Sequence, residues 1–232
     1  MKKLLVTSLI LNLLAIVFFV YTVKRLGGLG YLRYLFRNQG VAAWYEHRHN
    51  QFNYLPLDST DIVFLGNSIT HQGEWAELLG DLKYKNRGIS GDVIERVRTR
   101  LPEITRYRPA GIVLLIGIND LLFHPAATVA RQYEALVKDI ITQSPDTKIY
   151  LQSVLPVNNE VKETNVKNSD IEALNAEIKE LAMDNGIVFI DIHTLLKDKN
   201  GHLDARYTSD GIHLNGLAYR LWADKLHIEI GL

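Results

Sequence analysis

Asp61-Ile62-Val63-Phe64-Leu65-Gly66-Asn67-Ser68-Ile69-Thr70 decides how the rest of the chain is read. Ile62 to Leu65 is continuously apolar, includes β-branched residues and stops at a glycine. A half-buried strand would alternate; a run like this fits a strand covered on both faces of a parallel sheet. Polar residues follow at once. In an open parallel sheet reactive groups collect at the carboxyl ends of strands, so Ser68 stands where a nucleophile would stand. Taken alone, the pentapeptide Gly66 to Thr70 is more often the signature of a helix N-cap than of a nucleophile. It is not the Gly-x-Ser-x-Gly elbow, because Thr70 occupies the place of the second glycine.

Outward from this segment, strand and helix patterns alternate. Tyr84–Arg87 is a weaker strand; Gly111–Ile116, Lys148–Val154 and Ile187–Asp191 are stronger ones. Helical apolar spacing covers Val93–Ile104, Thr128–Ser144, Asp170–Asn185 and Gly216–Ile228, with Gly186 as a C-terminal cap. Such alternation predicts an α/β fold: a three-layer α/β/α sandwich around a central parallel sheet, one domain over 57–232. Three further clusters fall after strands or in the last loop. Gly88-Ile89-Ser90-Gly91-Asp92 brings two glycines to a helix start, which suits a tight turn or close approach of backbone N–H groups to a ligand. Asn119-Asp120 follows an apolar run and could form an Asx turn or cap. Asp210-Gly211-Ile212-His213 spaces a carboxylate and an imidazole so that they can meet in a turn, although such pairs also occur in ordinary surface loops.

Lys plus Arg and Asp plus Glu both total 26, so no concentrated positive field marks the chain for nucleic acid. Cysteine is absent, which removes disulfides, thiolate nucleophiles and Cys-based zinc sites. His47-x-His49 lacks a third ligand in register, and neither a metal nor a cofactor is expected. Leu4–Val23 has the length and apolar character of a bilayer span, with Lys2 and Lys3 before it and Lys24 and Arg25 after it. Its exit lacks the small residues of a cleavage site, so residues 1–25 read as an uncleaved signal anchor. Residues 26–56 read as a juxtamembrane helical linker, opened by a break at Gly27-Gly28-Leu29-Gly30. Its aromatic and basic residues, Trp44, Tyr45, Arg48 and Phe52 among them, suit either a headgroup zone or a helix packed on the domain. The catalytic domain is expected outside the cytoplasm.

Taken together and in order, Phe64-Leu65-Gly66-Asn67-Ser68, Gly88-Ile89-Ser90-Gly91-Asp92, Gly117-Ile118-Asn119-Asp120 and Asp210-Gly211-Ile212-His213 resemble the four signature blocks of the SGNH hydrolases, also called GDSL esterases/lipases. The pattern is similar to the platelet-activating-factor acetylhydrolase-like branch, many of whose bacterial relatives are described as carbohydrate or sialate O-acetylesterases. The resemblance implies a flavodoxin-like fold, with Ser68 as nucleophile, His213 as general base and Asp210 as the orienting acid. It implies an oxyanion hole made of the Ser68 and Gly91 backbone N–H groups and the Asn119 side chain. Asn67 and Ile69 depart from the Asp and Leu of Gly-Asp-Ser-Leu, which touches subgroup placement and not the chemistry.

The expected activity is hydrolysis of small acyl esters, O-acetyl groups on carbohydrate foremost. An O-acetyltransferase, a lysophospholipase or thioesterase, and a non-catalytic carbohydrate-binding module are the alternatives. His71 and His124 are placed at the rim of the site, His193, His202 and His227 elsewhere, and Asp92 and Asp120 are expected to cap helices or brace loops.

Overall fold

The computed structural model describes residues 2–25 and 39–231. It divides into two compact units, Met1–Ala43 and Trp44–Leu232. Helix α1 (Lys2–Arg25) lies in the first. The expected span at Leu4–Val23 falls in part on side chains outside the described set. Among the described residues no helix is long and apolar enough to cross a membrane. The expected glycine break at 27–30 also lies outside the described residues.

The second unit starts within α2 (Gln39–Gln51), ahead of the expected boundary at Leu57. Its side chains explain why. Arg48 Nε donates to the Gly88 carbonyl at 3.4 Å, His49 Nε2 pairs with Glu103 at 2.8 Å, and the Phe52 ring is faced by the guanidinium groups of Arg48 and Arg87. Of the two readings of this aromatic stretch, packing on the domain is the one these contacts support.

In chain order follow β1 (Ile62–Gly66), α3 (Ser68–His71), α4 (Trp75–Leu78), β2 (Tyr84–Gly88), α5 (Ile94–Arg100), α6 (Pro102–Thr105) and β3 (Gly111–Leu115). Then come α7 (Ala126–Gln143), β4 (Lys148–Gln152), α8 (Asn168–Asp184), β5 (Val188–Ile190), α9 (His193–Leu196) and α10 (Gly216–Ile230). The helix expected over Val93–Ile104 is two, because Pro102 opens α6 and a proline fits the first turn of a helix better than its interior.

All five strands are parallel, in the order β2-β1-β3-β4-β5. The residues of β1 and β3 explain their central place: Val63, Phe64, Leu65 and Ile112 to Leu114 are fully buried. From β1 the chain passes to β2 on one side and then returns to β3 on the other. That reversal leaves a crevice outside the carboxyl ends of β1 and β3, where open α/β sheets bind their ligands.

Candidate active site

Three loops meet at this crevice. The first leaves β1 at Gly66, where Ile69 N–H donates to the Asn67 side chain at 3.0 Å. Asn67 is therefore the N-cap of α3, and Ser68 is relieved of that task. Ser68 is the first residue of a helical turn, so its own backbone N–H has no partner four residues back and points out of the helix end. Two aromatic residues fix the turn from beneath. Trp75 Nε1 donates to the Thr70 carbonyl at 2.8 Å and Tyr219 Oη to the Ile69 carbonyl at 2.6 Å. Trp75 stacks on Phe64 of β1 with ring centroids 4.2 Å apart, and Trp222 closes against it at 4.7 Å. From β2, Asn86 Nδ2 lies 3.1, 2.9 and 2.8 Å from the carbonyls of Thr70, His71 and Gly73, so the end of α3 is held as well.

The last loop carries the imidazole to the serine. His213 Nε2 is 2.9 Å from Ser68 Oγ and Nδ1 is 2.7 Å from Asp210 Oδ2. Asp210 Oδ1 accepts the backbone N–H groups of His213 at 2.8 Å and Ile212 at 3.0 Å. Partial burial pushes the Asp210 carboxyl up, but the hydrogen bonds from the His213 ring and these two amides outweigh it and hold it at about 2. An ionised carboxylate on Nδ1 fixes the tautomer with its proton there and leaves Nε2 free to accept one from Ser68.

The remaining residues predicted for the oxyanion hole lie in the turns that follow β2 and β3. Gly91 has φ +75°, a left-handed conformation that suits glycine, in the turn after β2. Asn119 follows β3, and its Nδ2 donates to the Asp92 carbonyl at 2.8 Å. The amide nitrogen has a second hydrogen to offer. Asp120 accepts the Ile94 N–H at 3.1 Å and thus caps α5 across the loop. Asp92 is fully buried and paired with Arg100 at 2.8 Å. Both aspartates brace, as expected. His71 Nδ1 is 3.2 Å from Ser90 Oγ, with the Trp44 ring 4.8 Å from its own. Burial and the nearby Arg48 charge lower its pKa to about 4, so it is neutral at pH 7. His124 is exposed. Among the described residues no group of three or more histidines or carboxylates converges as a set of metal ligands.

The parallel α/β fold agrees with what the comparisons with known proteins find. Residues 64–221 match the model of the GDSL-like lipase/acylhydrolase family. The chain belongs to that family. This acylhydrolase is 29% identical over 197 residues to the platelet-activating factor acetylhydrolase IB subunit alpha2 of Rattus norvegicus, covering 82% of this chain and 84% of the relative. A solved protein of Streptococcus pneumonia, described as a platelet activating factor, superposes with TM-score 0.76 at 26% identity, over 85% of this chain and 97% of that one. The acetyl xylan esterase AlAXEase shares the fold, with TM-score 0.61 at 24% identity over 72% and 97%.

Sequence reading singled out the residues that face the crevice and missed those that hold them. Asn86, Arg100 and Tyr219 grip the acylhydrolase's reactive loops from inside the fold. The only signal in the sequence was that Asn86 interrupts a strand and that Arg100 sits on the apolar side of a helix.

Proposed function

We propose that the acylhydrolase is a serine esterase acting on short acyl esters, with O-acetyl groups on carbohydrate as its main substrate class. The observation that carries the reading is the continuous relay from Asp210 through His213 to Ser68, with contacts of 2.7 and 2.9 Å. A free serine hydroxyl is a weak nucleophile and needs a base in contact with it. Ser68 Oγ attacks the acyl carbon while its proton moves to His213 Nε2. The carbonyl oxygen becomes an oxyanion facing the Ser68 and Gly91 N–H groups and the Asn119 amide. Collapse expels the alcohol, which takes the proton from His213. Water then attacks the acyl-enzyme with His213 again as base, releasing the carboxylic acid and restoring Ser68. Each donor to such an oxyanion contributes about 10²–10³ in rate.

The acetyl group as acyl unit is supported by the name of the rat relative, an acetylhydrolase. An acetyl ester carried by a lipid is the second reading. Helix α1 favours it, since it leaves Leu11, Leu13, Leu14, Ile16, Phe18 and Phe19 exposed. An apolar helix of that kind supports attachment to a membrane, and the proposal places the catalytic unit outside the cytoplasm.

Substitution tests the mechanism, and a panel of esters tests the substrate. Ser68→Ala and His213→Ala are each expected to leave a folded protein with ester hydrolysis at background. Asp210→Asn should lose less, about 10²–10⁴ in kcat, since Ser68 keeps its base in a wrongly oriented form. Undiminished turnover in Ser68→Ala refutes the nucleophile. Acetylated xylooligosaccharides should be turned over faster than butyryl or long-chain esters; a preference for long chains would point to a lysophospholipase or thioesterase. Acyl release that requires a sugar acceptor would mark a transferase.

A further inference from the structure

Arg100 is 2% exposed at the end of α5, and its guanidinium touches two segments of the site at once. Nε and Nη2 donate to Asp92 Oδ2 at 3.0 and 2.8 Å, and Nη2 also reaches the carbonyl of Gly66 at 3.4 Å. Gly66 ends β1, two residues before Ser68. Asp92 follows Gly91 directly, is 0% exposed, and through its backbone carbonyl receives Asn119 Nδ2 at 2.8 Å. The strand leading to the serine, the Gly91 turn and the Asn119 side chain are therefore joined through one buried fork.

We propose that Arg100 is the positioning residue of the oxyanion pocket, setting the Gly91 amide and the Asn119 amide relative to Ser68. The inference rests on the serine-esterase reading, since it assigns a purpose to that pocket. Two charges taken wholly out of water are a poor way to gain stability, because well-packed apolar residues of similar volume often serve as well or better. What a guanidinium offers in place of apolar packing is fixed geometry. Its planar donors hold a carboxylate and a carbonyl at set angles, and a lysine ammonium, a single point of charge on a flexible stem, does not. The reaction needs such precision, because donors work only when aimed at where the oxyanion will form.

Arg100→Lys keeps the charge and removes the fork; Asp92→Asn keeps the fork's acceptor and removes the charge pair. Both are measured in the full chain with ethyl acetate as substrate and with methylboronic acid, whose boron bonds to Ser68 Oγ as a tetrahedral adduct. The expected result for both is a KM within about threefold of wild type and a fall in kcat of about 10²-fold, as for loss of one oxyanion donor. Boronate affinity should weaken in parallel with kcat/KM. The Gly91 backbone and Asn119 side-chain amide resonances in ¹⁵N spectra should shift or broaden. That last reading does not depend on Ser68 being the nucleophile, so a wild type inactive on esters would sink the esterase reading and leave the positioning role to the spectra. Wild-type kcat in either folded variant, a rise in KM alone, or amide resonances that stay in place overturns the proposal. So does a chain that folds in neither variant, which makes the ion pair a requirement of the core.

Discussion

Asp120 shows how a side chain in the candidate site can serve the fold. It is 4% exposed, and burial pushes its carboxyl up to about 7 against the pull of the Ile94 N–H and its own, while the Asp92 carboxylate adds to the rise. A group raised in this way keeps a proton in the folded chain after the unfolded chain has lost it. Stability therefore falls as pH climbs from about 4, where an unperturbed Asp titrates, to about 7. Asp120→Asn removes the titration and keeps an oxygen for Ile94. Between pH 5 and pH 8 the wild type should lose about 1–3 kcal/mol relative to this variant in urea unfolding. Parallel pH profiles for the two would show that the carboxyl titrates normally. At this scale the sequence was informative wherever a polar residue broke an apolar run: Ser68, Asn119 and the Asp210–His213 pair all stood out. It was faint on Arg100, marked only by its place on the apolar side of a helix, and silent on Tyr219, which resembles any other helix residue until its partner from a distant segment is known.

Elements were legible in proportion to their burial. β1 and β3 announce themselves because both faces are covered, so every position must be apolar. β2 reads Tyr-Lys-Asn-Arg-Gly and is faint for a physical reason: it is an edge strand, paired with β1 alone, and its side chains answer to the segment after α2 and to α3. The one-turn helices α3 and α4 are too short to leave a period. The contact between α3 and β2 is nevertheless a tight one. A methyl group on Gly88 would lie 2.3 Å from His71 N and 2.7 Å from its Cα, both backbone atoms that cannot swing aside. Gly88→Ala should therefore destabilise the fold by about 1–3 kcal/mol, as overpacking does, and should lower kcat through displacement of α3. A denaturation midpoint unchanged from wild type would show that the strand and helix part without cost.

At the scale of the molecule, the alternation of patterns predicts the layers, but the order of the strands and the meeting of the loops are properties of the folded chain alone. The bond between Ser68 and His213 joins residues 145 positions apart, and the Tyr219 hydroxyl reaches 150 positions back to Ile69. The membrane proposal belongs here too. The chain has no cysteine, so Lys199→Cys on the exposed turn after α9 gives a single thiol on the catalytic unit. In intact cells a membrane-impermeant maleimide should label it; labelling only after lysis would put the unit in the cytoplasm. The tryptophans add one more consequence. There are three, and they differ sharply in surroundings: Trp44 is 43% exposed, Trp75 1% and Trp222 0%. Iodide should quench the fluorescence of the first and leave the shorter-wavelength emission of the other two. Because Trp75 is bonded to the turn that bears Ser68, part of that protected light comes from directly behind the serine, and a change at its hydroxyl should be visible in the emission.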